Sequence, residues 1–69
     1  MLAEKIKIVM LKQKVNVKEL AKRLNTSSSN ITNKFKRDNF SEKELVEIAA
    51  ALDCDLKIDF VDKFTKQIL

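Results

Sequence analysis

The sequence has no glycine, proline, histidine, tryptophan or tyrosine, and a single cysteine. Glycine and proline mark linkers and domain boundaries. A chain of 69 residues without either, with no internal repeat and no biased tract beyond Ser27-Ser28-Ser29, therefore reads as one domain over residues 1–69. Cys54 cannot close an internal disulfide, and with no histidine present it lacks both a partner for a metal site and a catalytic base. We expect it to pack as a small apolar side chain, and we expect no metal and no cofactor. The missing histidine and tyrosine, and the absence of a glycine-rich phosphate loop, argue against an enzyme. Carboxylates such as Glu44 and Glu47 read as an exposed helix face rather than an acid/base pair. No apolar run reaches the ~18 residues of a membrane span, and charges interrupt the segment MLAEKIKIVMLKQK every few positions. Neither a span nor a signal peptide is expected, and the expected location is the cytoplasm.

The net charge of +4 conceals an asymmetry. Residues 1–37 carry ten Lys/Arg against Glu4 and Glu19, a net of +8, whereas residues 38–69 carry four Lys against eight Asp/Glu, a net of −4. Such a division suggests one face built for a polyanion. Lys5, Lys7, Lys12 and Lys14 also flank apolar residues, but no aromatic anchor accompanies them and the apolar stripe between them is needed for a core, which disfavours a membrane-surface role.

Apolar residues make 45% of the chain, enough for a small core, and their spacing is helical for most of its length. Leu2, Ile6, Val9 and Met10 give an amphipathic first helix over about residues 2–14, leaving Ile8 and Leu11 off the stripe. Asn16 is a good N-cap for a short second helix over 17–24, with Leu20, Ala21 and Leu24 inward and Asn25, tolerant of left-handed backbone, ending it. Ser27 can cap a third helix over 28–36 whose inner positions, Ile31 and Phe35, lie one turn apart. Ser41 and Glu44 form a capping box opening a fourth helix over 42–53, with Leu45, Ile48, Ala49 and Leu52 as its stripe. Beyond it, Leu56-Lys57-Ile58-Asp59-Phe60 alternates apolar and polar, so a strand is expected over 56–61, with residues 62–66 turning the chain for a return strand at 67–69.

Two short helices joined by a turn of about three residues are the spacing of a helix-turn-helix. Ala21 supplies the small residue where the backbones approach, and Leu20, Leu24 and Ile31 clamp the pair. At this point the chain resembles the phage-repressor and Cro-like (Xre-type) helix-turn-helix family. Its pattern matches KELAKRLNTSSSNIT, with an amphipathic helix before it and SEKELVEIAAAL after it, over roughly residues 2–56. The chain departs from that family at Asn25 and at Asp53, where glycine is usual, and at Val17, where members often carry a polar residue that touches phosphate. The resemblance implies a mainly α, compact four-helix domain of the lambda-repressor kind, with a short C-terminal strand or hairpin added by the pattern above.

It also implies double-stranded DNA as the partner. The third helix would enter the major groove and present Ser28, Ser29, Thr32 and Asn33 to base edges, Asn33 alone being able to make a bidentate contact, preferably to adenine. Asn16, Lys18, Lys34, Lys36 and Arg37, with the amides at the starts of the second and third helices, would position the domain on phosphates. A single domain of this size covers little DNA, so a homodimer on a pseudo-palindrome is expected, with Ile8, Leu11, Ile58, Phe60 and Val61 as surplus apolar surface for it. The rival from another class is a protein-interaction module, such as an antitoxin-like subunit, using the same surplus surface.

Overall fold

The computed structural model describes residues 2–69 and contains four helices: α1 (Leu2–Gln13), α2 (Val17–Arg23), α3 (Ser28–Arg37) and α4 (Glu42–Ala51). Three of the helix starts are local. Asn16 Oδ1 accepts from the Glu19 amide at 2.8 Å, and Ser27 Oγ accepts from the Asn30 amide at 3.1 Å. Ser41 Oγ accepts from the Glu44 amide at 3.1 Å while Glu44 Oε1 accepts from the Ser41 amide at 2.9 Å, which completes the capping box. Each such cap satisfies an amide that the helix itself leaves without a partner.

The helix ends are a uniform solution to the lack of glycine. Lys14, Asn25, Asp38 and Asp53 all have φ between 50° and 58°. After α1, the Val15 amide donates to the Met10 carbonyl and Lys14 to Leu11. After α2, Thr26 donates to Ala21 and Asn25 to Lys22, and after α4, Cys54 donates to Ala49 and Asp53 to Ala50. All three are Schellman closures, in which a left-handed residue lets the chain turn back and fill the last carbonyls. Asp38 ends α3 differently, its amide shared between the Lys34 carbonyl at 2.9 Å and the Phe35 carbonyl at 3.2 Å. A left-handed conformation costs a non-glycine residue on the order of 1 kcal/mol, least for Asn and Asp, which hold three of the four positions.

Long-range polar contacts finish the remaining helix termini. Asp38 Oδ1 accepts from the Ala3 amide at 2.7 Å, so the residue that stops α3 also caps α1. At the end of α4, Gln13 Nε2 donates to the Leu52 carbonyl at 2.7 Å and Arg23 Nη1 to the Ala51 carbonyl at 2.9 Å. These side chains tie α1 and α2 to the last turn of α4.

The core consists of Ala3, Ile6 and Met10 of α1, Val15, Leu20 and Ala21, Ile31 and Phe35 of α3, and Ile48 and Leu52, with Val9, Leu24, Phe40 and Leu45 packed around it. Leu20 is fully enclosed. The Phe35 and Phe40 rings meet tilted, with centroids 6.1 Å apart, and Lys7 Nζ lies 5.4 Å above Phe35. No core residue lies beyond Leu52.

Four expectations need correction. Leu2 is exposed, and Ala3 takes the inward place at the start of α1 because the cap by Asp38 fixes the rotation of its first turn. Cys54 is exposed rather than packed, since the chain reverses at Asp53 and leaves the core. The first, second and fourth helices end at Gln13, Arg23 and Ala51, earlier than expected, where the Schellman closures begin, and the third runs one residue further, to Arg37. No strand forms over 56–61 or 67–69 among the described residues. What remains is an isolated antiparallel bridge between Val61 and Ile68, across a turn in which Asp62 Oδ1 accepts from the Phe64 and Thr65 amides. An alternating pattern makes a strand only where a neighbouring backbone supplies hydrogen bonds, and among the described residues the backbone of 56–59 has none.

Asp38→Ala should lower stability by about 1–2 kcal/mol, because it removes the α1 cap and puts a Cβ-bearing residue without a compensating polar group in left-handed backbone. Asp38→Asn, which keeps an acceptor oxygen and tolerates the conformation, should cost well under half of that in urea unfolding. Equal losses from both would contradict the shared-cap assignment.

Candidate nucleic-acid interface

The angle between α2 and α3 is set by the turn at residues 24–27. Leu24 is still right-handed at φ −88°, Asn25 is left-handed at φ 56°, and Ser27 is extended at φ −91° and ψ 153°. Thr26 pins the following helix, its Oγ1 accepting from Asn30 Nδ2 at 2.8 Å. Below the turn, Leu20 and Ala21 of α2 share the core with Ile31 and Phe35 of α3, so a rotation of either helix would open buried apolar surface.

With Ile31 and Phe35 inward, Ser28, Ser29, Thr32, Asn33, Lys36 and Arg37 are all left exposed. Among the described residues none of the side chains of Ser28, Ser29, Thr32 and Asn33 makes a hydrogen bond within the chain, so their polar groups are available to an outside partner. The four candidate readers thus share one helix and are unengaged. Asn30, also exposed, is committed to Thr26.

A shallow groove runs between the starts of α2 and α3, lined by Asn16, Lys18, Lys22, Asn25, Ser27 and Ser28 among others. Lys18 and Lys22 stand four residues apart on α2 and both line it, which places two cations beside the first turn of α3. Lys22 was not singled out from the sequence, although its spacing from Lys18 was the available signal. Asn16 reaches the groove with its amide nitrogen only, because its Oδ1 is occupied by the Glu19 amide.

The other basic residues divide into free and engaged. Lys36 and Arg37, in the last turn of α3, are exposed and make no ion pair among the described residues. Lys34 instead forms an ion pair with Glu44 of α4. Arg23 pairs with Glu19 at 3.3 Å and donates to the end of α4, and Lys7 lies over Phe35. Three of the ten cations in the basic half therefore serve the fold.

Glu44 is held well below the ordinary carboxylate range, at about 2, first by the hydrogen bond from Lys34 and then by the Ser41 amide of the capping box. A depressed folded-state value stabilises the fold above the unfolded carboxylate value near 4.5, and that contribution is lost as pH falls from there toward 2. Among the described residues no cluster of three His, Cys, Asp or Glu could hold a metal ion, and no helix is long and apolar enough to cross a membrane.

Residues 6–58 match the family model of the bacteriophage CI repressor helix-turn-helix domain. The matched stretch covers all four helices except the first residues of α1, and ends at Ile58, beyond the end of α4 at Ala51. The chain matches no curated protein and no solved structure.

Carbon-detected titration of the Glu44 carboxyl should show a midpoint well below an ordinary glutamate. Lys34→Ala should move it upward, leaving only the contacts with Ser41 to hold it down. An unshifted midpoint in both proteins would remove the ion pair.

Proposed function

We propose that this chain, which belongs to the bacteriophage CI repressor helix-turn-helix family, is a sequence-specific DNA-binding transcriptional regulator that inserts α3 into the major groove. The observation that carries this reading is the exposed and unengaged row Ser28, Ser29, Thr32 and Asn33, set on a helix whose orientation the buried face of α2 fixes.

In this reading Asn33 contributes the most discrimination, through paired hydrogen bonds to an adenine edge. The hydroxyls of Ser28, Ser29 and Thr32 accept or donate indifferently, and the Thr32 methyl meets a thymine methyl. Lys18, Lys22, Lys36 and Arg37, with the Asn16 amide, hold phosphates on either side of the groove. Lys34 joins them only by exchanging Glu44 for a phosphate, so its net contribution is smaller than its charge suggests. One domain of this kind buries about 600–1,000 Å² on DNA, which favours a homodimer acting on two half-sites of a pseudo-palindrome by occupying an operator. The second reading, a protein-interaction module of the antitoxin kind, draws on the exposed apolar residues of the segment after α4.

Selection from a random duplex pool at two salt concentrations tests the reading. A short palindromic site should emerge, with affinity falling by about three decades between ~50 and ~200 mM salt if some six phosphates are engaged. Asn33→Ala should cost about 1–3 kcal/mol at one base position and blur the preference there, whereas Lys36→Ala should weaken all sequences alike and reduce the salt slope by about one. Salt-sensitive binding without an enriched site would remove base reading by α3, and no binding at all would favour the interaction module.

A further inference from the structure

Of the two recesses beside α4, the groove between α1 and α4 is lined mainly by apolar side chains, Leu2, Val9 and Leu45 among them. The other, a cavity of about 150 Å³ between α3 and α4, holds charge. Lys34, Glu44 and Glu47 line it together with Phe35, Phe40 and Ile48. Lys34 and Glu44 are half-buried and paired with each other, whereas Glu47 is exposed and makes no ion pair among the described residues.

The Glu44 carboxylate is not free to follow its partner. Its Oε1 accepts from the Ser41 amide at 2.9 Å, and its Oε2 takes the Lys34 ammonium. The first contact belongs to the capping box that opens α4, so the carboxylate is anchored to backbone and Lys34 is held to a fixed point. The position of Lys34 on α3 gives this pairing a consequence. By helical geometry Lys34 lies about 100° to one side of Asn33, and Lys36 about 60° to the other. A helix seated in a groove with Asn33 toward the bases therefore turns Lys34 toward one wall of phosphates and Lys36 toward the opposite wall. Lys36 is exposed and unpaired among the described residues, and Lys34 is neither. To reach a phosphate, Lys34 must leave Glu44, and an anchored carboxylate then stands unpaired within about a Debye length, ~8 Å at physiological salt, of the DNA backbone.

We propose that Glu44 is a built-in competitor of DNA phosphate for the Lys34 ammonium, and so a residue of α4 that limits the affinity of α3 for any duplex. The inference rests on the reading of α3 as the groove helix and adds to it a residue that meets no base. Phosphate contacts strengthen binding to every sequence. A chain whose residues 1–37 carry a net of +8 gains such affinity readily. Glu44 restrains it without touching the readers, since its contacts are with Ser41 and Lys34 and not with Ser28, Ser29, Thr32 or Asn33.

Fluorescence anisotropy across ~50–200 mM salt, with a duplex of the enriched site and a scrambled duplex, tests the proposal, and far-UV circular dichroism controls for the fold. Glu44→Gln keeps an oxygen for the Ser41 amide and removes the charge. It should bind both duplexes more tightly and enlarge the salt slope by about one, so that this range of salt costs it about 3.5-fold more affinity than it costs the unaltered chain. Adding Lys34→Ala should abolish both changes, whereas in the unaltered chain the same substitution should cost much less affinity. Glu42→Gln removes an equal charge from α4 outside the cavity, and any gain it brings should be smaller and indifferent to Lys34→Ala. The enriched site should be the same for Glu44→Gln as for the unaltered chain. A salt slope unchanged by Glu44→Gln, or a gain that survives Lys34→Ala, would overturn the assignment and leave α3 as the reader. Absence of duplex binding by the unaltered chain and by every variant would remove reader and competitor together.

Discussion

The arrangement depends on one joint, the left-handed residue Asn25 between α2 and α3. Its backbone lets the Thr26 amide return to the Ala21 carbonyl, and that closure brings the small side chain of Ala21 and the enclosed Leu20 against Ile31 and Phe35. Everything on the outer side of α3 follows. Once Ile31 and Phe35 point inward, helical geometry leaves Ser29, Thr32, Asn33 and Lys36 turned away from them, while Ser28, in line with the buried pair, is exposed at the first position of the helix. The side chains that could read a base are thus aimed by residues that could not.

A chain without glycine has to reach the same joints by other means. Asn25, Asp38 and Asp53 are short polar residues that tolerate left-handed backbone, and Lys14 carries the cost outright. Asp38 offsets its own cost by a second contact, since its carboxylate closes the start of α1. Gln13 and Arg23 do the same service at the end of α4. The four helices are consequently bound to each other at their ends by polar groups and at their centres by the core, which suits a domain too small to be stable on burial alone.

What was legible in the sequence was local. Asn16, Ser27 and the Ser41/Glu44 pair announce helix starts within three or four residues of the amides they cap, and the apolar stripes of α2, α3 and α4 need only the helical period. The contacts from Asp38 to Ala3, from Gln13 to Leu52 and from Lys34 to Glu44 join residues that only the folded topology brings together, so neither the true inward residue of the first turn nor the engagement of Lys34 could be read in advance. Alternation at residues 56–60 reported what the segment is suited to do, not whether a neighbouring backbone lies beside it. The split of charge between the halves was visible too, but not that Lys7, Arg23 and Lys34 serve the fold while Lys18, Lys22, Lys36 and Arg37 face outward.

The central claim is that the joined pair α2 and α3, and no other surface, meets DNA. Amide chemical shifts of the labelled chain, followed during titration with the duplex it selects, test this most directly. The account predicts changes concentrated at residues 16–22 and 27–37, with the α1–α4 groove and residues 56–69 little affected beyond any change in association. Changes centred on α1 or the terminal segment, with α3 unmoved, would contradict it.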